Sequence, residues 1–193
     1  TDEVIALIRQ CAFHPETIEI HSLRDGEEVD EWETVMTIEG DYADFAHLET
    51  IYLGILARQS RIATNVRRVV KAANGKPVLF FPARYDIYQT QESDGYAALV
   101  GGIHGFSTDA NALAAGGKGL GTIPHALIAS YKGDTVAATE AFDKYVDPSI
   151  ARIALVDFDN DCVNTSLAVA RKLGKKLAGV RLDTSGSMVD KSL

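Results

Sequence analysis

The stretch RIALVDFDNDCVNTSLAVARKLGKKLAGVRLD, residues 152–183, decides the fold. RIALVDF (152–158) is a near-continuous apolar run. VNTSLAVARKLG (163–174) has apolar residues at helical spacing and ends on Gly174, and KLAGVRLD (176–183) is apolar again. That order reads strand, helix, strand. Strands that are apolar on both faces, alternating with helices, indicate a parallel sheet covered on both sides.

Working outward, VLFFPA (78–83), AALVGG (97–102) and GLGTIP (119–124) read as further strands. TDANALAAGG (108–117) reads as a short helix, and DTVAATEAFDKYV (134–146) as a longer one capped by Asp134. An open doubly wound sheet and a (β/α) barrel both fit this alternation. No GxGxxG follows any strand, which disfavours the dinucleotide-binding version. Arg84, His104, His125, Asp157 and Asp183 fall where the strands end, the face at which a barrel carries its active site. The region supplies about five strands where a closed barrel has eight, so the chain reads as a portion of a longer protein.

Residues 43–74 read as one connecting helix, roughly 44–73, with Phe45, Leu48, Ile51, Tyr52, Ile55 and Leu56 on its apolar face. Asp44 is the expected cap, Asn74-Gly75 the expected end, and Ser60 the place for a break. Residues 1–42 read as a helix, EVIALIRQCAF, followed by two short strands, TIEIHSL and TVMTIEG, around the Asp25-Gly26 turn signal. This piece is too small to stand alone. The expected organisation is therefore a partial α/β sandwich element (1–42), a long helix (43–74) and the first part of an α/β barrel (75–193).

Composition narrows the function classes. Apolar residues make up 46% of the 193, enough for a sizeable core, and the net charge is −8. A general nucleic-acid surface needs excess positive charge, so no nucleic-acid partner is expected. No apolar run approaches the ~20 residues of a membrane span, and the N-terminal residues lack the pattern of a signal peptide. Cys11 and Cys162 have no CxxC partner and read as reduced thiols of a cytoplasmic protein.

Several residues are equipped for chemistry. In GLGTIPHAL, Gly119 and Gly121 permit close backbone approach, Thr122 offers a hydroxyl, and His125 suits a general base, a phosphate contact or a phosphoryl acceptor. A helix-start histidine bonded only to backbone fits the same spacing. In GVRLDTSG, Arg181 and Asp183 are two apart on a strand and share a face. The arginine's planar fork suits a carboxylate or phosphate. Asp183 orients it, contacts a ribose or helps hold a metal, and a purely structural ion pair fits equally well. Asp157, Asp159 and Asp161 suggest Mg²⁺, with helix capping as the alternative for one of the latter two. Arg58, Arg61, Arg67 and Arg68 form either a phosphate wall or a solvated helix face, and Arg84 follows the first strand. His14, His21 and His47 have no ligand spacing and read as surface or packing residues.

Taken in order, FAHLETIYLGILARQSRIAT, FFPARYD, GFSTDANALAAG, GTIPHAL, LVDFDND and VRLDTSG resemble the nicotinate phosphoribosyltransferase family, part of the group that includes quinolinate phosphoribosyltransferase. The resemblance covers roughly residues 25–186. It implies an α/β sandwich packed on an irregular α/β barrel. The implied reaction joins nicotinate to phosphoribosyl pyrophosphate in NAD biosynthesis, with Mg²⁺ and in many members ATP. It puts the phosphorylated histidine at His125 and the catalytic arginine and aspartate at Arg181 and Asp183. Arg84, Thr122, Arg61, Ser107 and Asn111 fall among substrate or phosphate contacts, and Asp157 at the metal. Pro124 and Ala126 depart from the acidic or hydroxyl residues that many members carry around this histidine. A homodimer or higher homo-oligomer is implied, as is inactivity of these 193 residues alone. The alternatives are the decarboxylating quinolinate enzyme and a non-catalytic nucleotide-binding homologue.

Overall fold

The computed structural model describes residues 1–82, 84–188, 190 and 191. The chain divides into two compact units, residues 1–120 and 121–193.

The first unit opens with helix α1 (Asp2–Cys11), whose Val4 and Ile8, four apart, are fully buried. Strands β1 (Glu19–Ser22) and β2 (Met36–Glu39) pair antiparallel, Ile20 opposite Ile38. Helix α2 (Tyr42–Phe45) is capped by Asp41, which accepts from the Ala43 N–H at 3.0 Å. Asp44, the expected cap, is instead buried and bonded to His14 Nδ1 at 2.8 Å. A 3₁₀ turn over Ala46–Leu48 separates α2 from α3 (Glu49–Ala72), so the expected single helix is two. Helix α3 passes through Ser60 without a break and ends where Asn74 and Gly75 take positive φ. Its N-terminal half packs Tyr52, Ile55 and Leu56 against Val4, Ile8, Ile18, Phe45 and Leu48. Its C-terminal half packs Ile62, Val66 and Val70 against Ala98, Ile103, Phe106 and Ala112.

Two strand expectations fail here. AALVGG lies in helix α4 (Gln91–Val100) and the turn after it. A short apolar run does not distinguish a strand from a buried helix, and alanine favours the latter. The strand that follows is β4 (Gly105–Phe106), parallel to β3 (Leu79–Phe80), which is shorter than VLFFPA. Ala83, the last residue of that expected strand, lies outside the described residues. GLGTIP forms no ladder; its glycines and Pro124 leave one bond, from the Leu120 N–H to Phe106 O at 2.6 Å. Small residues in α4 serve close approach instead. A Cβ on Gly95 would stand 2.0 Å from the carbonyl oxygen of Asn111, in helix α5 (Asp109–Ala112). One on Gly101 would meet Ala63 O at 2.8 Å.

The second unit holds α6 (His125–Ser130), α7 (Thr135–Tyr145), β5 (Arg152–Leu155), α8 (Cys162–Leu173) and β6 (Leu177–Arg181). The deciding stretch folds as read: β5 and β6 pair parallel, with Ala154 opposite Val180 and Leu155 opposite Arg181. Both faces of β5 are covered. Ala154 and Val156 pack with Val169 and Leu173 of α8, while Leu155 packs with Ile123, Ile128 and Ala138. Asp134 caps α7 through the Ala137 N–H at 2.9 Å, and Gly174 ends α8 at φ 56°. Arg152, 6% exposed, plugs the end of α7: its guanidinium donates to Asp143 Oδ1 and to the carbonyls of Asp143, Val146, Asp147 and Ile150. Cationic donors at a helix C-terminus complement the exposed carbonyls there.

Gly95→Ala is expected to destabilise the first unit by about 3 kcal/mol, because the added methyl meets backbone rather than a movable side chain. Chemical denaturation of wild type and variant checks this, and an unchanged midpoint would contradict the close α4–α5 contact.

Candidate active site

The C-terminal ends of β5 and β6 form a charged rim in the second unit. Pairing at Leu155–Arg181 continues in a bond from the Val156 N–H to Arg181 O at 3.2 Å, which brings the residues after both strands side by side. Asp157 follows β5 and is buried. Its Oδ2 accepts from the Asp183 backbone N–H at 2.6 Å and from the Thr184 hydroxyl at 2.7 Å. Its Oδ1 is buried with no hydrogen-bond partner among the described residues. Burial works to raise this carboxyl. The Thr184 hydroxyl, the backbone N–H groups of Asp183 and Asp157 and the charge of His125 outweigh burial and hold it below the ordinary range.

His125 is the first residue of α6. Pro124, in extended conformation, precedes it, and the fully buried Ile123 anchors the approach. The helix-start position is therefore correct, but the ring faces carboxylates. Nε2 lies 3.4 Å from Asp157 Oδ1 and Nδ1 3.9 Å from Asp183 Oδ2, with Phe158 alongside at 6.4 Å between ring centroids. Arg181 and Asp183 share a face as read, joined from Nη2 to Oδ2 at 2.8 Å. The other guanidinium nitrogen, Nη1, donates to the Thr122 hydroxyl. The guanidinium is held on two sides at the rim, with its side chain 26% exposed.

The rim thus brings together Thr122, His125, Asp157, Arg181 and Asp183. Arg61, Arg84, Ser107 and Asn111 belong to the first unit. Arg61 and Arg84 are exposed, on α3 and in the turn after β3. Ser107 has a buried hydroxyl with no partner among the described residues. Asn111 is fully buried, and its amide donates to Gln91 O at 2.7 Å. His104 accepts from the Val78 N–H at 3.2 Å. Asp161 caps α8 through the Asn164 N–H at 3.3 Å, and Asp159 is exposed. The three aspartates do not converge, and among the described residues no group of three or more His, Cys, Asp or Glu is placed to hold a metal ion. The sequence reading missed Thr184, although its hydroxyl directly follows the RLD triplet. It also missed the pair between Arg58 and the buried Asp94, at 2.7 and 2.8 Å, for which no periodic signal exists.

The chain is similar to several known proteins. Residues 1–60 match the family model described as quinolinate phosphoribosyl transferase, N-terminal domain. The chain is 30% identical over 179 residues to the nicotinate phosphoribosyltransferase of Bacillus subtilis, covering 85% of this chain and 34% of that protein. It is 31% identical over 159 residues to a nicotinate phosphoribosyltransferase of Mycobacterium tuberculosis, covering 78% and 34%. The crystal structure of nicotinate-nucleotide pyrophosphorylase from Pyrococcus furiosus matches at a TM-score of 0.88 and 39% identity, over 97% of this chain and 46% of that one. This chain therefore spans about a third of the length of the curated relatives it matches. Its fold is the α/β barrel type of the quinolinate phosphoribosyltransferase group. These matches support the nicotinate and quinolinate phosphoribosyltransferase family for this chain.

Because Asp157 is held below its ordinary value of about 3.9, it adds stability above that pH and loses it as pH falls through the lowered value. Replacing it by Asn removes this dependence. Denaturation midpoints of wild type and Asp157→Asn are expected to differ most above about pH 5 and to converge in acid. A constant gap would contradict the assignment.

Proposed function

We propose that the protein containing this chain is a nicotinate phosphoribosyltransferase of NAD biosynthesis. It transfers the phosphoribosyl group of phosphoribosyl pyrophosphate to nicotinate. The observation that carries this reading is the Arg181 fork, gripped by Thr122 and Asp183 beside His125, in a chain whose curated relatives bear that name. The bond from ribose C1 to the pyrophosphate oxygen breaks, its electron pair leaving with pyrophosphate. The pyridine nitrogen lone pair then forms the new bond to C1. The sugar passes through an oxocarbenium-like state, and no proton has to move. Catalysis then rests on positioning and fixed charge. Arg181 holds the nicotinate carboxylate, and the Asp183 and Asp157 carboxylates favour the positive charge developing on the sugar.

In this reading Arg61, Arg84, Ser107 and Asn111 serve the substrate and its phosphates. Mg²⁺ accompanies the pyrophosphate, and the described aspartates form no cage for it. ATP phosphorylates His125: the imidazole nitrogen takes the terminal phosphoryl group, ADP leaves, and water later releases phosphate. The working form is a homodimer or higher homo-oligomer. Cytoplasmic residence is part of the same reading. Among the described residues no helix is long and apolar enough to cross a membrane.

The match of residues 1–60 favours a second reading, transfer to quinolinate with loss of carbon dioxide. Assays of the full-length protein with each acid and phosphoribosyl pyrophosphate separate the two: carbon dioxide release from quinolinate would replace the nicotinate reading. Binding of both substrates without pyrophosphate release would support the non-catalytic alternative. In the nicotinate enzyme, His125→Ala and His125→Gln are expected to abolish stimulation by ATP and to leave weak basal transfer. Unchanged stimulation would overturn the phosphohistidine role. Arg181→Lys is expected to raise KM for nicotinate about tenfold, because an ammonium cannot reproduce the fork.

A further inference from the structure

Thr184 is the rim side chain that none of these roles uses. It comes from the segment after β6, yet its hydroxyl donates to Asp157, after β5, at 2.7 Å. The Asp183 N–H donates to the same oxygen at 2.6 Å. Two donors on Oδ2 fix the plane of a carboxyl group whose side chain is 1% exposed. That plane aims Oδ1 at His125 Nε2, 3.4 Å away, and Oδ1 has no other partner among the described residues. A buried carboxylate oxygen without a donor is unfavourable, so the ring proton is drawn to Nε2. The opposite nitrogen, Nδ1, then faces Asp183, whose Oδ2 is already engaged by Arg181 at 2.8 Å.

We infer that Thr184 is a positioning residue for His125, acting through Asp157: it fixes the carboxyl that holds the ring proton on Nε2 and sets the ring's orientation at the rim. Without the hydroxyl, the Asp183 N–H is the one donor left to Oδ2 from the segment after β6, and the carboxyl is freer to turn about it. The kinetic consequence rests on the transferase reading above; the effect on the imidazole does not.

The test uses the full-length protein labelled with ¹⁵N-histidine. The Nε2–H resonance of His125 is assigned by its loss in His125→Gln. Exchange of that proton with water is expected to be about tenfold faster in Thr184→Val and near wild type in Thr184→Ser, which keeps the hydroxyl. Thr184→Ala supplies the same readout where the valine variant does not fold. In parallel, kcat for ATP-stimulated transfer to nicotinate is expected to fall about tenfold in Thr184→Val, with KM within about twofold, and to recover in Thr184→Ser. Wild-type exchange in Thr184→Val and Thr184→Ala, or equal losses in the serine and valine variants, would overturn the inference. Absence of any transfer to nicotinate by the wild type would overturn the reading under Proposed function, and proton exchange alone would then decide the role of Thr184.

Discussion

A carboxylate removed from water has to find donors, and Asp157 finds them on the neighbouring strand. The Asp183 N–H and the Thr184 hydroxyl close on one oxygen, which ties the segment after β5 to the segment after β6. A one-residue slip of β6 would remove both donors and reverse every side chain on that strand. The register that satisfies Asp157 is also the one that turns Arg181 toward Thr122 and Asp183 toward His125. The start of α6 is located by the same contacts. The arrangement at the rim is thus a consequence of one buried charge and the pairing it requires.

The other end of β5 meets the mirror of that problem. Arg152 is a buried cation at the start of the strand, and it is satisfied by helix carbonyls and Asp143. Each charge is neutralised locally, so neither depends on long-range compensation through the apolar strand between them. Removing either set of partners would leave an uncompensated buried charge, which is far more destabilising than the absence of the pair.

Legibility in the sequence followed the reach of the forces involved. The 152–183 stretch was readable because its period, its capping glycine and its apolar runs all agree. The placement of Arg181 and Asp183 on one face followed from strand periodicity. AALVGG was misread because alanine and glycine say little about which element they serve; only Asn111 and Ala63, far along the chain, show that smallness is needed for helices to touch. Asp44 was misread because a carboxylate near a helix start has two uses, and the competition was settled by His14, thirty residues away. Thr184 and the Arg58–Asp94 pair were invisible for the same reason: tertiary contacts between polar side chains leave no periodic trace.

Helix α3 runs for 24 residues, about 36 Å, and contributes to both apolar clusters of the first unit. Neither cluster can lose this helix and remain closed. The hairpin β1–β2 and the pair β3–β4 are therefore coupled through a shared rod, although they share no strand. Opening that separates α3 from either cluster exposes the apolar surface of that cluster.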